Sequence, residues 1–560
     1  MQIIKSVRIL IFFLLPIAAF SQSSYIPIGT KDYKLLDRLE IKTGNENLLY
    51  SVVKPYNRRL TTKEVELIDS LQLAGDSSFH LTEIDKYNIE RYLMNNSEWS
   101  KPRESYNSKK TIFNQFYKTK GNFLEIKGKD FFLIVNPMGQ YQVMKEKGNS
   151  QSLFYNSHGV TVRGLIARKI GFDVSITDNQ ERDPLYVQQW IASHNAVPGA
   201  RFYKGFKAPG GVDYFDNRGS VSFNASKYID LQLGYDRNFI GDGYRSLFLS
   251  DFAGNNLFFK INTRIWKFNY QNLFMELIPY GQRSGGNRTL SRKYFRSNYL
   301  SFNATKWLNL GFFDAVTFGR KDHFDFQYLI PVLFLRPAES DIGSGDNATL
   351  GINGKINIKK KIQLYGQMVL DEFQFRELIK STGFWANKYG YQIGVKYPDA
   401  FGIPNLDLQV ESNRVRPFTY SHFDSVTEYS HYNQPLAHPL GANFQEYISI
   451  LKYQPLKKLY LQAKMIYYYQ GLDSAGTNFG SNIFLNYHTR GKNYGYYVGD
   501  GNKVKSMNVS LLASYEIFEN MFIDANLQHR TYNMAVGGNR NTTVFSFGIR
   551  MNMARREFDF

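Results

Sequence analysis

Cysteine is absent from the 560 residues of the chain. Its absence excludes disulfide bonds and a lipid anchor attached to a cysteine. It also excludes a zinc site built on thiolates. Packing, hydrogen bonds and ion pairs must therefore stabilise whatever fold the chain adopts.

Long apolar runs are missing after residue 22. No later stretch reaches about 18 uninterrupted apolar residues, so the sequence predicts no helical membrane span. Residues 1–22, MQIIKSVRILIFFLLPIAAFSQ, place Lys5 and Arg8 before an apolar run from Ile9 to Phe20 and end near small residues. This order predicts a secretory signal peptide, with a membrane anchor as the alternative.

Aromatic residues are abundant, with 45 Phe, 40 Tyr and 5 Trp. Amphipathic rings in such numbers are typical of carbohydrate contacts or of the aromatic girdles of an outer-membrane barrel. The mean hydropathy of −0.39 is that of a soluble protein. A membrane barrel has a similar average, because every second strand residue can be polar.

The chain is basic, with a formal net charge of +19, and most of the excess lies in residues 151–560. Such an excess favours anionic partners such as lipopolysaccharide or an acidic polysaccharide. Export argues against nucleic acid as the partner. A basic surface that is simply solvated is the alternative.

Residues 23–120 show helical periodicity. The stretches TTKEVELIDSLQLA (61–74) and TEIDKYNIERYLMNNSEW (82–99) space apolar residues as amphipathic helices do, and Thr82 suits an N-cap. We expect an N-terminal helical region over 23–120 on the periplasmic side, followed by a second domain over 121–560.

From about residue 121 the apolar period changes to two, as in strands. Six stretches predict hairpins with short links. They are FLEIKGKDFFLIV (123–135), SFNASKYIDLQLGYD (222–236), SFNATKWLNLGFFDA (301–315), LGINGKINIKKKIQLYGQMVL (350–370), ISILKYQPLKKLYLQAKMIYYY (448–469) and NVSLLASYEIFENMFIDANLQ (508–528).

Periodicity alone does not separate a soluble sandwich from a membrane barrel. The connections favour the barrel, because the links inside hairpins are short whereas those between hairpins are long and polar. The long ones include 284–298, 336–349, 413–443 and 472–503. A last strand, TTVFSFGIRMNM (542–553), would close the ring and leave no free edge.

The predicted fold is therefore all-β: a transmembrane antiparallel outer-membrane β-barrel with a small N-terminal α-helical periplasmic element. At roughly 22–28 residues per strand with its loop, residues 121–560 give about 16–20 strands, and we expect 18. A soluble secreted sandwich is the alternative.

Three stretches carry a family resemblance. They are GYDRNFIGDGYRSLFLSD (234–251), VVKPYNRR (52–59) and HYNQPLAHPLGANFQEYIS (431–449), together with the signal-peptide ending FSQ. They resemble the Wzi-like capsule-assembly family of outer-membrane proteins, which includes RemB-type gliding motility proteins of Bacteroidetes.

The resemblance implies a barrel of about 18 strands with a helical element at its periplasmic end. The enterobacterial members act as outer-membrane lectins that attach capsular polysaccharide to the cell. The Bacteroidetes members are tied to gliding and type IX secretion. This chain has Asp242 and Tyr244 where the enterobacterial pattern differs.

The stretch GDGYRS (241–246) invites a ligand-loop interpretation. It lacks the Gly-Lys-Ser/Thr of a phosphate-binding loop and the Gly-x-Ser-x-Gly of a nucleophile elbow. We expect a corner, with glycines allowing close backbone approach, that leads into a barrel strand. Its polar side chains are also candidates for ligand contact, namely Arg237, Asn238, Asp242, Tyr244 and Arg245.

Two outcomes are open for these charges. Asp242 held between Arg237 and Arg245 would be structural, because unpaired charge in a lumen is costly. Exposed arginines would instead suit uronic acid or phosphate groups.

The histidines do not form a pattern typical of a catalytic site or a metal site. His431 and His438 are seven positions apart and match no standard ligand spacing, and we expect a folded-in extracellular loop there. We expect no metal, no cofactor and no enzymatic activity, although an outer-membrane enzyme is an alternative.

Further aromatic candidates lie elsewhere. The segments 294–299, 420–432 and 494–500 are rich in Tyr and are expected in loops, where rings stack on sugars or pack together. The stretch DPLYVQQWIASHN (183–195) predicts a helix in or over the barrel, with Tyr186 and Trp190 as candidates for ligand contact.

The expected protein is a non-enzymatic outer-membrane barrel. Its expected role is to bind or tether surface or capsular polysaccharide, or to serve as an accessory component of gliding motility and type IX secretion. The expected partners are outer-membrane lipid and lipopolysaccharide, an acidic polysaccharide, and gliding or secretion envelope proteins. An outer-membrane pore or solute channel is the alternative.

Overall fold

The structure is a computed structural model of the chain. It describes residues 23–109, 111, 115–207, 209–281, 289–331, 334–343, 345–474 and 476–560. The predicted signal peptide, residues 1–22, lies outside the described residues. Within these described ranges, no helix combines the length and apolar character needed to cross a bilayer.

Eighteen antiparallel strands close into a barrel, each paired with the next along the chain. Strands β1 to β18 are, in order, Phe132–Glu146, Leu153–Ile166, Ile170–Arg182, Val212–Ser226, Ile229–Asp236, Asn256–Ile265, Phe268–Leu277, Lys293–Asn303, Leu308–Phe318, Asn347–Ile358, Ile362–Glu372, Lys388–Tyr397, Leu406–Val415, Phe444–Leu456, Leu459–Leu472, Asn502–Phe518, Met521–Met534 and Gly538–Met551. Strand β18 closes the ring on β1, from Val544 opposite Glu146 to Met551 opposite Gly139. The predicted fold class and the expected 18 strands are confirmed.

The barrel wall is polar inside and apolar outside. In β10, the side chains of Asn353, Lys355 and Asn357 are buried in the barrel interior. On either side of this stretch, Ile352 and Ile358 lie on the outer surface and are 52% and 39% exposed. A barrel wall in lipid requires this arrangement, because the bilayer core has no water to solvate polar groups.

The two rims of the barrel differ in the length of their connections, as predicted. One rim, the short-turn rim, carries eight turns, at 167–169, 227–228, 266–267, 304–307, 359–361, 398–405, 457–458 and 519–520. The other, the long-loop rim, carries loops such as 183–211, 416–443 and 473–501. All six predicted hairpins are confirmed by their strand pairing.

Three helices occupy the short-turn end: α1 (Lys31–Thr43), α2 (Arg58–Leu73) and α3 (Glu83–Asn95). The two predicted helices are confirmed, and α1 was missed. The predicted cap at Thr82 is present, since its hydroxyl accepts a hydrogen bond from the Asp85 N–H at 3.0 Å. Buried apolar residues of all three helices form one core.

Ion pairs fasten these helices to the barrel. Arg38 of α1 is buried and pairs with Asp85 at 2.8 Å and with Asp399 of a short turn at 3.0 Å. Lys42 contacts the same two carboxylates at 2.7 and 2.5 Å. Because the aspartates come from α3 and from the wall, α1 depends on both for its position.

The remaining elements are short. Helices α4 (Leu185–His194), α5 (Arg336–Ile342) and α6 (Phe375–Ile379) lie on the long-loop rim. Single 3-10 turns cover Leu48–Tyr50, Glu104–Tyr106, Phe326–Leu329, Ala400–Gly402 and Tyr487–Thr489. Short strands are Tyr25–Ile26 with Tyr56–Asn57, Val53–Lys54 with Phe239–Ile240, Ser430–His431 with Gln434–Pro435, Leu124–Lys127 beside β1 and Lys204–Gly205 beside β4.

Segments from both rims meet inside the lumen. Residues 238–251, here called the plug loop, descend from the long-loop rim. Phe239–Ile240 pairs with Val53–Lys54 of the N-terminal region. The Gly241 N–H also donates to the Val52 carbonyl at 2.9 Å. The N-terminal region and the plug loop therefore form one connected filling.

We predict that Arg38→Ala loosens the helical region. The change leaves Asp85 buried without its main partner, and breaking one side of a buried pair costs about 3–5 kcal/mol. Limited proteolysis of the folded protein in detergent is expected to cut within residues 23–109 much faster than in the parent. Lys86→Ala removes an exposed pair with Glu83 and is the control, with an expected change below about 0.5 kcal/mol. Equal cleavage of parent and Arg38→Ala would contradict the prediction.

Candidate ligand-binding site

The plug loop corrects one expectation. It was predicted to turn into a barrel strand, but the next barrel strand begins only at Asn256. Leu247 and Phe248 are fully buried inside the lumen, and Phe248 stacks on Phe313 of β9 at 4.7 Å. These two apolar side chains pack inside the lumen, whereas the sequence alone suggested that they face lipid.

Close approach explains one glycine of the plug loop. A Cβ on Gly243 would lie 2.5 Å from the Glu411 carboxylate and 2.7 Å from the Arg245 carbonyl. The same carboxylate accepts hydrogen bonds from the N–H groups of Tyr244 and Arg245 at 2.7 and 3.1 Å. Gly243 is thus needed so that the backbone can reach the wall.

The charges of the plug loop find partners outside the loop. Asp242 pairs with Lys355 of β10 at 3.0 Å, and Lys355 also meets Glu40 of α1 at 2.9 Å. Arg245 pairs with Asp559 at 3.1 Å and with Glu446 at 3.5 Å. The two arginines therefore do not neutralise Asp242, and Arg245 is not free.

Two other candidate residues bind locally. The Arg237 guanidinium donates to the Asp251 carbonyl at 3.0 Å. The Asn238 side-chain oxygen accepts from Lys260 at 3.2 Å. Both contacts hold the plug loop in place.

Residues 552–560, here called the lumen segment, turn back into the barrel after β18. Lys464 of β15 pairs with Asp559 at 2.5 Å and also with Glu557. Arg556 pairs with Glu181 at 3.0 Å and donates to the Pro198 carbonyl at 3.0 Å. Sequence reasoning missed this segment, although ARREFDF (554–560) alternates charge with aromatic residues just beyond the last strand.

The acidic residues of the lumen segment stay ionised. Burial raises the pKa of Asp559, but Arg245 and Lys464 outweigh it and hold that pKa below its ordinary value. A carboxyl with a lowered pKa stabilises the folded state fully above its unfolded pKa, about 4, and loses that contribution as the pH falls further. The ion pairs are therefore complete at neutral pH.

Four of the seven candidate residues converge on the lumen segment. The Tyr186 hydroxyl donates to the Phe558 carbonyl at 2.6 Å, and the Trp190 ring lies 5.5 Å from that of Phe560. Tyr244 and Arg245 both bind Asp559. Arg237, Asn238 and Asp242 lie apart from this group, so sequence reasoning combined two different environments.

A narrow cavity of about 50 Å³ lies beside the lumen segment. Amide and hydroxyl side chains of the wall form part of its lining, together with Tyr186 and with charged residues such as Lys464 and Glu181. The wall residues are Gln140, Gln142, Asn508, Ser510, Asn526, Gln528 and Ser546. Such groups both donate and accept hydrogen bonds and so can satisfy water molecules in a space of this size.

Aromatic rings continue from the cavity to the long-loop face. Trp190 of α4 stacks on His194 at 4.0 Å, and Phe484 stacks on Tyr280 at 4.4 Å. His194 also meets Phe484 edge-on at 6.3 Å. These four residues, here called the aromatic strip, form a continuous row, with Tyr280 39% exposed.

The two histidines of 431–439 are buried in a folded-in loop, as expected. His438 Nε2 lies 2.7 Å from the Glu446 carboxylate of β14. His431 Nδ1 accepts from the Ile278 N–H at 3.1 Å. Sequence reasoning found no acidic partner near the two histidines, although Glu446 lies eight positions after His438.

The three Tyr-rich segments lie in different environments. Residues 294–299 lie in β8, so their assignment to a loop was wrong. Tyr420, Tyr429 and Tyr432 are each 1% exposed and pack inside the filling. Tyr494 and Tyr497 are each 51% exposed at the long-loop face. The rings available to a ligand are thus mainly those of 494–500.

Two cations stand beside those exposed rings. Arg490 lies over the Trp385 ring at 3.9 Å and hydrogen-bonds Asn493 at 3.0 and 3.1 Å. Lys492 donates to the Gly495 carbonyl at 2.9 Å. In the described part of the chain, no carboxylate forms an ion pair with either cation. Arg490, Lys492, Tyr494 and Tyr497 are here called the rim patch.

Known structures share this fold. The chain is similar to Wzi of Escherichia coli, an outer membrane protein involved in group 1 capsule assembly and described as a carbohydrate-binding β-barrel. The TM-score is 0.55 at 12% sequence identity, over 95% of this chain and 100% of that one. The likeness supports the outer-membrane barrel fold.

Two other solved structures are also similar to this chain, with lower TM-scores. OprD of Pseudomonas aeruginosa has a TM-score of 0.41 at 10% identity, over 74% of this chain and 94% of that one. OccAB2 of Acinetobacter baumannii has a TM-score of 0.43 at 9% identity, over 76% and 99%. No family model and no curated protein sequence matches this chain.

We predict that Lys464→Gln releases the lumen segment. Its side chain is 4% exposed, and its loss leaves two partly buried carboxylates, those of Glu557 and Asp559, with weaker compensation. Breaking a buried pair costs about 3–5 kcal/mol, so the amides of 555–559 are expected to exchange hydrogen roughly a hundredfold faster or more.

Hydrogen exchange followed by mass spectrometry provides the measurement. Lys505→Gln changes an exposed lysine on the neighbouring strand β16 and is expected to leave the exchange unchanged. Undiminished protection of 555–559 in Lys464→Gln would show that other contacts hold the segment.

Proposed function

We propose that this protein is a non-enzymatic outer-membrane barrel that binds acidic surface polysaccharide at its long-loop face and tethers it to the cell. The observation that carries the proposal is the contrast between interior and rim. Inside, Arg245 and Lys464 are neutralised by the chain's own carboxylates. At the rim patch, exposed rings stand beside cations that carry no carboxylate partner among the described residues.

The rim patch has the chemistry that an acidic sugar requires. The guanidinium of Arg490 and the ammonium of Lys492 suit carboxylates of uronic acids, since charge-assisted hydrogen bonds are stronger than neutral ones. The faces of Tyr494 and Tyr497 suit the C–H faces of sugar rings. The aromatic strip with Trp190 offers a second row of rings, so that a polymer would contact both.

The other candidate residues take supporting roles in this proposal. Arg237, Asn238 and Asp242 position the plug loop through Asp251, Lys260 and Lys355. Tyr186, Tyr244 and Arg245 anchor the lumen segment. Together they form a rigid base beneath the outer face, which lowers the entropy cost of binding. The Wzi likeness adds support, because that barrel binds carbohydrate.

Binding to a defined acidic glycan tests the proposal. The protein in detergent is expected to be retained on immobilised polygalacturonic acid at low salt, released at high salt, and not retained on dextran. The Arg490→Gln, Lys492→Gln variant is expected to bind about tenfold more weakly, because exposed charge contacts contribute up to roughly 1 kcal/mol each.

The matched control is Arg168→Gln, Lys227→Gln, which removes two exposed cations from the short-turn rim. It keeps the same net charge as the rim-patch variant. If both variants lose retention equally, binding follows net charge alone and the rim patch is not the site. Retention of the parent protein on dextran that equals its retention on polygalacturonic acid would also contradict the proposal.

A pore is disfavoured by the filled lumen. Open barrels of 16–18 strands leave an aqueous channel, whereas here the helices, the plug loop and the lumen segment occupy it. We expect no steady single-channel conductance in a planar lipid bilayer at voltages where a porin control conducts. Stable conductance steps from the folded, heat-modifiable protein would favour the pore instead.

The same outer face would serve an accessory role in gliding motility or type IX secretion. In that case the partner is an envelope protein, and co-purification from gently solubilised membranes is the direct test. If the protein binds polygalacturonic acid and no envelope protein co-purifies with it, the polysaccharide-tethering role is favoured.

A further inference from the structure

A groove opens at the short-turn rim, on the opposite end of the barrel from the proposed glycan site. It lies between α2 and the turns at 304–307 and 359–361 and has a volume of about 1030 Å³. Leu67 and Leu71 of α2 form one wall, and Trp307 and Ile358 form the other. The groove therefore joins the N-terminal helices to the outer barrel surface.

The walls of the groove are apolar and exposed. Leu67 and Leu71 are 49% and 38% exposed, and Trp307 and Ile358 are 51% and 39% exposed. Exposed apolar area of this kind marks a contact surface. Ile358 belongs to the outward face of β10, so the apolar surface of the groove continues into the surface that faces lipid.

Three lysines stand at the mouth of the groove, namely Lys306, Lys359 and Lys360. All three are exposed. Lys306 lies 3.7 Å from Glu46, in a pair whose lysine side chain is 86% exposed, and Lys360 donates to the Ser78 carbonyl at 2.7 Å. The apolar walls and the cations are thus adjacent.

The whole short-turn rim is basic. Its eight turns hold ten Lys or Arg residues and only two acidic residues, Asp399 and Glu519. Both acidic residues are used to hold the helices, Asp399 by Arg38 and Lys42 and Glu519 by Lys31. The positive charge that remains faces the headgroups of the adjacent leaflet, on the side that short turns occupy in outer-membrane barrels.

We propose that this groove binds one anionic phospholipid from the adjacent leaflet. Lys306, Lys359 and Lys360 hold the phosphate, because basic groups next to a membrane attract anionic headgroups. Trp307 and Ile358 cover one face of the acyl chains, and Leu67 and Leu71 cover the other. A soluble anion would use the lysines but would leave the apolar walls in water.

Native mass spectrometry tests the site. The folded protein is released from nanodiscs of equal phosphatidylglycerol and phosphatidylcholine content, and the retained lipids are counted. The expected result is one phosphatidylglycerol retained in preference to phosphatidylcholine. In the triple variant Lys306→Gln, Lys359→Gln, Lys360→Gln, the retention of phosphatidylglycerol is expected to fall by about tenfold or more, because three lysines beside a headgroup are lost.

A second variant tests the walls. Leu67→Ser, Leu71→Ser leaves all charges in place and is expected to lower phosphatidylglycerol retention as well, although less than the lysine variant. If glycerol phosphate competes equally well for the site, the ligand is a soluble anion and the proposal fails.

The control is Lys169→Gln, Lys227→Gln, Lys457→Gln, which removes three exposed lysines from other short turns. It is expected to retain phosphatidylglycerol as the parent does. Heat-modifiable migration on a gel verifies that each variant is folded. Equal loss in the control, or equal retention of the two lipids by the parent, would overturn the proposal.

Discussion

Charges of the wall and charges of the segments inside the lumen neutralise each other in several buried ion pairs, and this constraint organises the structure. The wall presents lysines inward, such as Lys355 and Lys464, because its outer face is given to apolar residues. Burying such a cation alone would cost several kcal/mol. The carboxylates that compensate it come from segments that are not part of the wall, namely Glu40 of α1, Asp242 of the plug loop and Asp559 of the lumen segment. The filling and the wall are therefore electrostatically complementary.

Different segments provide these compensating charges at the two ends of the molecule. The N-terminal helices hold the short-turn end through Arg38 and Lys42, while the plug loop and lumen segment support the long-loop end. Because the Gly241 N–H donates to Val52 within the lumen, the two supports are continuous. The outer loops consequently stand on a rigid base, and the rings of the rim patch are displayed without the barrel having to open.

The wall was largely predictable from sequence because strand alternation and hairpin links are local. The partners of individual charges were not. Asp242 lies close in sequence to Arg237 and Arg245, yet its partner Lys355 is 113 positions away. The segment 294–299 was assigned to a loop because it overlaps the long polar connection predicted at 284–298. Part of its burial comes from a later segment, since the buried Arg296 donates to the Tyr328 carbonyl at 3.1 Å. Such non-local contacts leave no periodic signal.

The lumen segment also bears on the order in which the barrel assembles. It follows all eighteen strands in the chain, and Arg245 reaches Asp559 across 314 positions. Contacts of such separation form late, because a long loop must close first. A ring of strands that has not yet received this segment would hold Lys464 without its two carboxylates and would leave Arg245 with Glu446 alone. Docking of residues 552–560 therefore supplies the last countercharges of the interior, those for Arg245 and Lys464, after the preceding strands have formed.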